Sequence, residues 1–242
     1  MSISPKMALL EEYAHVARAL AAPPRLLLLE QLAQGERGVE GLAEKTCLSF
    51  ANCSQHLQQL RRSGLVTSRR DGKAVIYRLT DAKTLDLMNL LRVVAERNLA
   101  RVEDILRALA DGADPPEPVS RDELAARLAE GSVTVLDMRP ADEYAAGHIP
   151  GARNAALSDL DRLLSTLAPD TEIIAYCRGP YCIYAEQAVA ALRRRGFVAR
   201  RLDGGLPEWR ADGRPGQVEV AGVAGLGIKT LSSLRQWKEV KS

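Results

Sequence analysis

Residues 41–79 read GLAEKTCLSFANCSQHLQQLRRSGLVTSRRDGKAVIYRL, and this stretch decides the fold of the first half of the chain. Ser49 is a good N-cap, Cys53, Leu57 and Leu60 recur at helical spacing, and Gly64 is a stop signal, which predicts a helix over 50–62. A shorter helical pattern over 39–46 precedes it across a tight turn. Beyond Gly64 the period shortens. Segments 65–69 and 74–79 are strand-like and flank Arg70-Asp71-Gly72-Lys73, a strong hairpin signal. Residues 54–79 hold six basic side chains (Arg61, Arg62, Arg69, Arg70, Lys73, Arg78) against one acid, Asp71, an excess that suits a phosphate backbone.

Toward the N-terminus, Leu9, Leu10, Tyr13, Val16, Ala17 and Leu20 form one stripe of a helix over 6–20, ended by Pro23-Pro24. A short apolar helix over 25–33 follows and is closed by Gly35. Toward the C-terminus, residues 81–110 read as one long helix with Leu85, Met88, Leu91, Val94, Ala95, Leu99, Val102, Ile105 and Leu106 on its stripe. One small domain cannot cover that stripe, so a partner subunit is expected.

Two helices joined by a tight turn and followed by a basic hairpin make a winged helix-turn-helix, whose second helix enters the major groove. The quoted stretch, with ALAAPPRLLLLEQLAQG (19–35) before it, resembles the ArsR family of dimeric bacterial repressors across residues 7–110. Periodicity leaves Ala51, Asn52, Ser54, Gln55 and Gln58 on the outward face of helix 50–62. The resemblance implies that Ser54 and Gln55 face base edges, with Ala51 and Asn52 beside them; Gln and Asn can pair with adenine. Arg69, Arg70 and Lys73 are assigned to phosphates. A homodimer through the N-terminal helix and helix 81–110, on a double-stranded DNA operator, is the implied assembly, and repression the implied default.

The cysteines fall into two close pairs, Cys47/Cys53 and Cys177/Cys182. Cys53 stands where the family usually has a buried aliphatic residue, and Cys47 lies in the turn. Structural packing and a thiol switch between them both remain open. No metal is expected: helix 39–46 has no cysteine pair, helix 81–110 no histidine, and only His15, His56 and His148 are present. No cofactor is expected either.

DGADPPEP (111–118) reads as a linker. Beyond it, strand candidates at 133–137, 172–176 and 198–202 alternate with helices at 122–129, 141–146, 157–167 and 183–195, which predicts an α/β domain with a mostly parallel sheet over 119–215. Residues 216–242 are expected to be a poorly ordered tail, with Trp237 unexplained. The fold expected overall is a mainly α winged helix-turn-helix domain (1–110) followed by that α/β domain.

In IIAYCRGPYCI (173–183) a cysteine ends an apolar strand and a helix follows. A thiolate there is surrounded by backbone N–H groups, and Arg178 adds a positive charge. Such a cysteine suits attack on a sulfane sulfur, giving a persulfide on Cys177 that passes to an acceptor thiol. LDMRPADEYAAGHIPGARN (136–154), YCRGPYC (176–182) and LDGGLPEW (202–209) resemble the rhodanese family. Cys177 is then the nucleophile and Cys182 either a resolving thiol or loop packing. Asp137 and Arg139 either line the pocket or orient the loop, His148 is structural, and Gly204 and Gly205 serve close backbone approach. No arginine follows Arg178 within the loop, which disfavours the phosphate chemistry that the same fold hosts elsewhere.

A hydrophobic share of 46% with 26% charged residues fits a soluble globular protein. The N-terminus lacks the layout of a secretory signal and no apolar run is long enough to span a bilayer, so a cytoplasmic location without membrane contact is expected. Three readings of the fusion stand: a sulfur-responsive regulator; a working sulfurtransferase, with a sulfane-sulfur donor and a thiol acceptor, tied to a DNA reader; and an inactive rhodanese module used for binding.

Overall fold

The computed structural model describes residues 4–109, 116–168, 171–179 and 182–218. The chain divides into two compact units, Met1–Leu91 and Arg92–Ser242, and the division falls inside one helix.

In the first unit Ser4 caps α1 (Pro5–Leu20) by accepting from the Met7 amide. Pro23 then opens α2 (Pro23–Ala33), its fixed φ suiting a first turn. Arg25 clamps this corner: its guanidinium donates to the Ala19 and Arg18 carbonyls and to Gln59 Oε1 (2.7 Å), satisfying orphan acceptors at the end of α1. Strand β1 (Arg37–Gly38), α3 (Val39–Thr46) and α4 (Phe50–Arg62) follow, with Ser49 Oγ accepting from the Asn52 amide at the start of α4. Strands β2 (Val66–Asp71) and β3 (Ala74–Leu79) complete an antiparallel sheet in the order β1-β3-β2.

The hairpin turn differs in detail from the expectation. Asp71 pairs with Ala74, so the loop is Gly72-Lys73, with Gly72 at φ +59° in the position where only glycine is unstrained. Strand β1 was not expected, since GERG carries no β-formers; it exists because its backbone pairs with Tyr77 and Ile76. Leu28, Leu29, Leu42, Cys53, Leu57, Leu60 and Met88 form the buried interior of this unit.

The single helix expected over 81–110 is two, α5 (Lys83–Asn98) and α6 (Ala100–Leu109). Asn98 bonds back to the Val94 carbonyl (2.8 Å), a habit that bends helices, and Leu99 restarts the ladder by accepting from Val102 and Glu103. The apolar stripe is correspondingly divided. Leu85 and Met88 are buried, Ala95, Val102 and Leu106 are half-buried, and Leu91, Val94, Leu99 and Ile105 are exposed. The whole stripe was expected to await a partner subunit; part of it is covered within the chain.

In the second unit Ser120 caps α7 (Arg121–Glu130). Then come β4 (Thr134–Asp137), α8 (Ala141–Ala145), β5 (Arg153–Asn154), a 3-10 turn (Leu157–Asp159) leading into α9 (Leu160–Leu164), β6 (Ile173–Cys177), α10 (Tyr184–Arg194), β7 (Ala199–Gly205) and α11 (Leu206–Ala211). The four strands are parallel in the order β5-β4-β6-β7, with Val119 bridged to Leu202 outside β7. Side chains of β6 alternate: Ile173, Ala175 and Cys177 face a core with α9 and α10, while Ile174 and Tyr176 face a core with α7 and α11.

Gln217 pairs with His148 through both backbone groups (2.8 Å each), which carries the folded domain past its expected end at residue 215. The remaining tail from residue 219, Trp237 included, and residues 111–115 of the expected linker lie outside the described residues.

Candidate functional site

Cys177 is the last residue of β6 and is 2% exposed. The strand's period-2 alternation sends its side chain toward α10, and the loop after it is held from below by the end of β7. A Cβ on Gly205 would lie 2.4 Å from the Cys177 carbonyl oxygen and 2.9 Å from the Gly179 nitrogen, so only glycine allows this approach. Glu208 accepts from the Gly205 amide (2.7 Å), and its burial raises its pKa above the ordinary glutamate value. Cys182 lies across the loop, its amide donating to the Gly179 carbonyl. Cys177 and Cys182 are joined as a disulfide with their Cα atoms 6.1 Å apart.

Arg178 does not stand as an open cation beside the sulfur. Its guanidinium donates twice, at 2.9 Å each, to the buried carboxylate of Glu143 on α8. The expected positive neighbour of Cys177 is therefore charge-compensated and serves to anchor the loop. Asp137 and Arg139 are placed elsewhere too. Asp137 accepts from Arg139 and from the Tyr176 hydroxyl at 2.5 Å, and Arg139 also donates to the Gly147 carbonyl. Both are fully inside the fold, on the Tyr176 side of the sheet, because residues at adjacent positions of β6 face opposite ways. Neither is among the residues lining the cavity beside Cys177, and both are engaged in hydrogen bonds with each other. His148 stacks on Tyr144, and its Nδ1–H donates to the Tyr144 carbonyl (3.0 Å).

Glu143 and Glu208 were not singled out from sequence. Glu208 stands three residues after Gly205, a capping-box spacing that signals a side chain turned back on the chain. Nothing in ADEYAAGH marks Glu143 as buried.

In the first unit α4 presents Ala51, Asn52, Gln55 and Gln58 to solvent, with Ser54 half-exposed. Arg70 and Lys73 are exposed at the hairpin tip. Arg69 is ion-paired with Glu36 (2.6 Å) and Asp71 (3.0 Å), and the Arg69 guanidinium lowers the Glu36 pKa. Glu36 lies outside the basic stretch and was not counted against it.

Cys47 and Cys53 are both free. Cys53 is 0% exposed, points its thiol at the Val39 carbonyl, and has its pKa raised by burial, a setting that favours the unreactive thiol. Cys47 is exposed at φ +55°, where it closes α3 in a Schellman turn: its amide donates to Glu44 and the Leu48 amide to Ala43. Among the described residues no cluster of three or more His, Cys, Asp or Glu side chains could hold a metal, and no helix is long and apolar enough to cross a membrane.

Two family models match the chain: the bacterial regulatory protein, arsR family, over residues 22–68, and the rhodanese-like domain over residues 120–212. The HTH-type transcriptional regulator Rv0324 of Mycobacterium tuberculosis is 44% identical over 211 residues, covering 87% of this chain and 92% of its own. The biofilm growth-associated repressor of Xylella fastidiosa is 39% identical over 83 residues, 34% of this chain and 73% of its own. Among solved structures, the homodimeric winged helix-turn-helix domain Mb0332 of Mycobacterium bovis is 40% identical with a TM-score of 0.38, covering 41% of this chain and 92% of that one. The rhodanese-like domain of Anabaena sp. Alr3790 is 33% identical with a TM-score of 0.39, covering 47% of this chain and 88% of that one. The near full-length relation to Rv0324, with both family matches in the same order, makes this chain a member of the ArsR family of HTH-type transcriptional regulators that carries a C-terminal rhodanese-like domain.

Proposed function

We propose that this regulator represses transcription as a homodimer on double-stranded operator DNA, and that sulfane sulfur captured on Cys177 and resolved by Cys182 controls its hold on that DNA. The observation that carries the sulfur half is the placement of Cys182 within disulfide reach of Cys177, across a loop held by Gly205 and Glu143. A resolving thiol that close turns a persulfide into a disulfide plus sulfide faster than an external acceptor can be met. This favours a responsive switch over a sulfurtransferase that serves a free acceptor, and a chemically competent pair has no purpose in a binding module.

DNA reading is assigned to Ala51, Asn52, Ser54, Gln55 and Gln58 of α4, and phosphate contacts to Arg69, Arg70 and Lys73. The dimer is supported by apolar side chains left open on α1, Met7, Leu9, Leu10 and Tyr13, and on α5, Leu90, Leu91 and Val94. Cys47 and Cys53 are not the switch in this reading, because the Cys53 thiol is buried.

The test is a fluorescence titration of the reduced protein on the DNA upstream of its own gene, with and without polysulfide. Polysulfide is expected to shift the Kd of wild type and of Cys53→Ser alike, and to leave Cys177→Ser unmoved. A Cys177→Ser protein that responds like wild type overturns the proposal.

A further inference from the structure

Beside Cys177 lies a cavity of about 260 Å³, small for a ligand site and bounded wholly within the second unit. Cys177 and Cys182 form part of its lining. Its apolar surface includes Val102, Ile105, Leu106 and Leu109 of α6 and Ile183 and Ala185 at the start of α10, with Ala95 and Leu202 beside them. Helix α6 lies outside the stretch matched by the rhodanese model, which begins at residue 120. The nucleophile's surroundings are thus completed by a helix that the family pattern does not include.

The charges around the cavity are spoken for. Arg92 is 8% exposed and bonds Glu96 and Asp203 at 2.7 Å each, and Arg201 is paired with Glu186. Arg178, the remaining guanidinium of the loop, is tied to Glu143. An inorganic donor such as thiosulfate brings two negative charges and would have to break one of these pairs or enter uncompensated, which is costly in a low-dielectric site. An uncharged carbon group would instead gain contact with α6 at no electrostatic cost.

We propose that the sulfur carrier recognised here is an organic hydropersulfide with an uncharged apolar carbon group, seated against α6 with its outer sulfur at Cys177. The proposal rests on Cys177 being the sulfur-accepting nucleophile. The Cys177 thiolate attacks the outer sulfur of R–S–SH; the bond between the two donor sulfurs breaks and R–S⁻ leaves, taking a proton from solvent to become R–SH. The Cys182 thiolate then attacks Cys177 Sγ, expelling HS⁻ and forming the Cys177–Cys182 disulfide. The two cysteines lose two electrons and the sulfane sulfur gains them. An external dithiol returns the pair to thiols by disulfide exchange and is itself oxidised.

The experiment uses the full chain, reduced and freed of reductant, mixed in single turnovers with benzyl hydropersulfide, glutathione hydropersulfide or thiosulfate. Sulfide release and the mass of the Cys177 peptide are followed, and each rate is divided by that of the same donor with free cysteine. The corrected rate for the benzyl donor is expected to exceed that for the glutathione donor by about tenfold or more, the scale of apolar-pocket discrimination. That ratio should collapse in Leu106→Asp and in Ile105→Lys, the latter at a half-exposed position where folding is not at stake. Equal corrected rates, or a ratio unmoved by Ile105→Lys, overturn the apolar assignment. Preference for thiosulfate overturns it as well while leaving Cys177 as the nucleophile. If no donor modifies Cys177, or Cys177→Ser releases sulfide as fast as wild type, the underlying sulfur reading falls with it.

Discussion

Cys47 holds a backbone conformation that costs an L-residue about 1–2 kcal/mol and costs glycine almost nothing. Because its thiol is exposed and unbonded to Cys53, the turn itself explains the position. Cys47→Gly is expected to stabilise the first unit by about 1 kcal/mol in urea denaturation, with DNA affinity retained; loss of stability would show that the sulfur has a structural partner. Gly205 has the opposite character. Its alanine variant drives a Cβ into the Cys177 carbonyl, so Gly205→Ala should destabilise by roughly 1–3 kcal/mol and slow the proposed persulfide formation together. Glu208 supplies a pH test. Its folded pKa is raised by burial, so the folded state binds more protons than the unfolded one and stability falls as pH climbs from the unfolded value through the folded value. Glu208→Gln keeps an acceptor for the Gly205 amide without a titrating charge. Its stability relative to wild type should rise across that window and level off above it, as read by melting temperature against pH; a flat difference would show that the carboxyl is not penalised.

At the level of elements, the hairpin concentrates charge around Arg69. Arg69 is held by two carboxylates before any DNA arrives, so a phosphate must compete with Glu36 and Asp71 for it. Glu36→Gln removes one competitor, and DNA binding should tighten while the slope of log K against log salt steepens by roughly one. An unchanged slope would place Arg69 outside the interface. The pattern of what was legible follows the same physics. Helices α1 to α4, the hairpin and the β–loop–α unit around Cys177 were readable because each is specified by its own periodicity, caps and turn residues. Strand β1 and strand β5 were not, because two-residue strands are created by their neighbours. The break at Leu99 was hidden because Asn98 bends the helix through its own side chain, with neither Gly nor Pro to announce it. Asp137 and Arg139 were readable as candidates, but not as bonded to one another on the Tyr176 side of the sheet. That distinction depends on which face of β6 each neighbour occupies, and sequence shows the alternation without its direction.

For the molecule as a whole, the proposed dimer draws on the apolar side chains left open on α1, Met7, Leu9, Leu10 and Tyr13. Leu10→Glu combined with Tyr13→Glu should convert a sedimenting dimer to monomer and weaken operator binding by more than about tenfold, since a single half-site then carries the affinity. Both positions are exposed within the chain, so folding of the monomer is not expected to suffer. A wild-type protein that sediments as a monomer on and off DNA would refute the paired arrangement.

The division of the chain inside α5 bears on any attempt to treat the two family-matched regions as interchangeable parts. The family match for the rhodanese-like domain opens at residue 120, just past the proline-rich stretch that invites a cut, yet the compact unit opens at Arg92, which is tied to Asp203 at the rim of β7. A graft of this domain onto another DNA reader, spliced at the prolines, would carry both cysteines and leave behind Arg92 and the whole of α6. The natural seam for a chimera is in mid-helix.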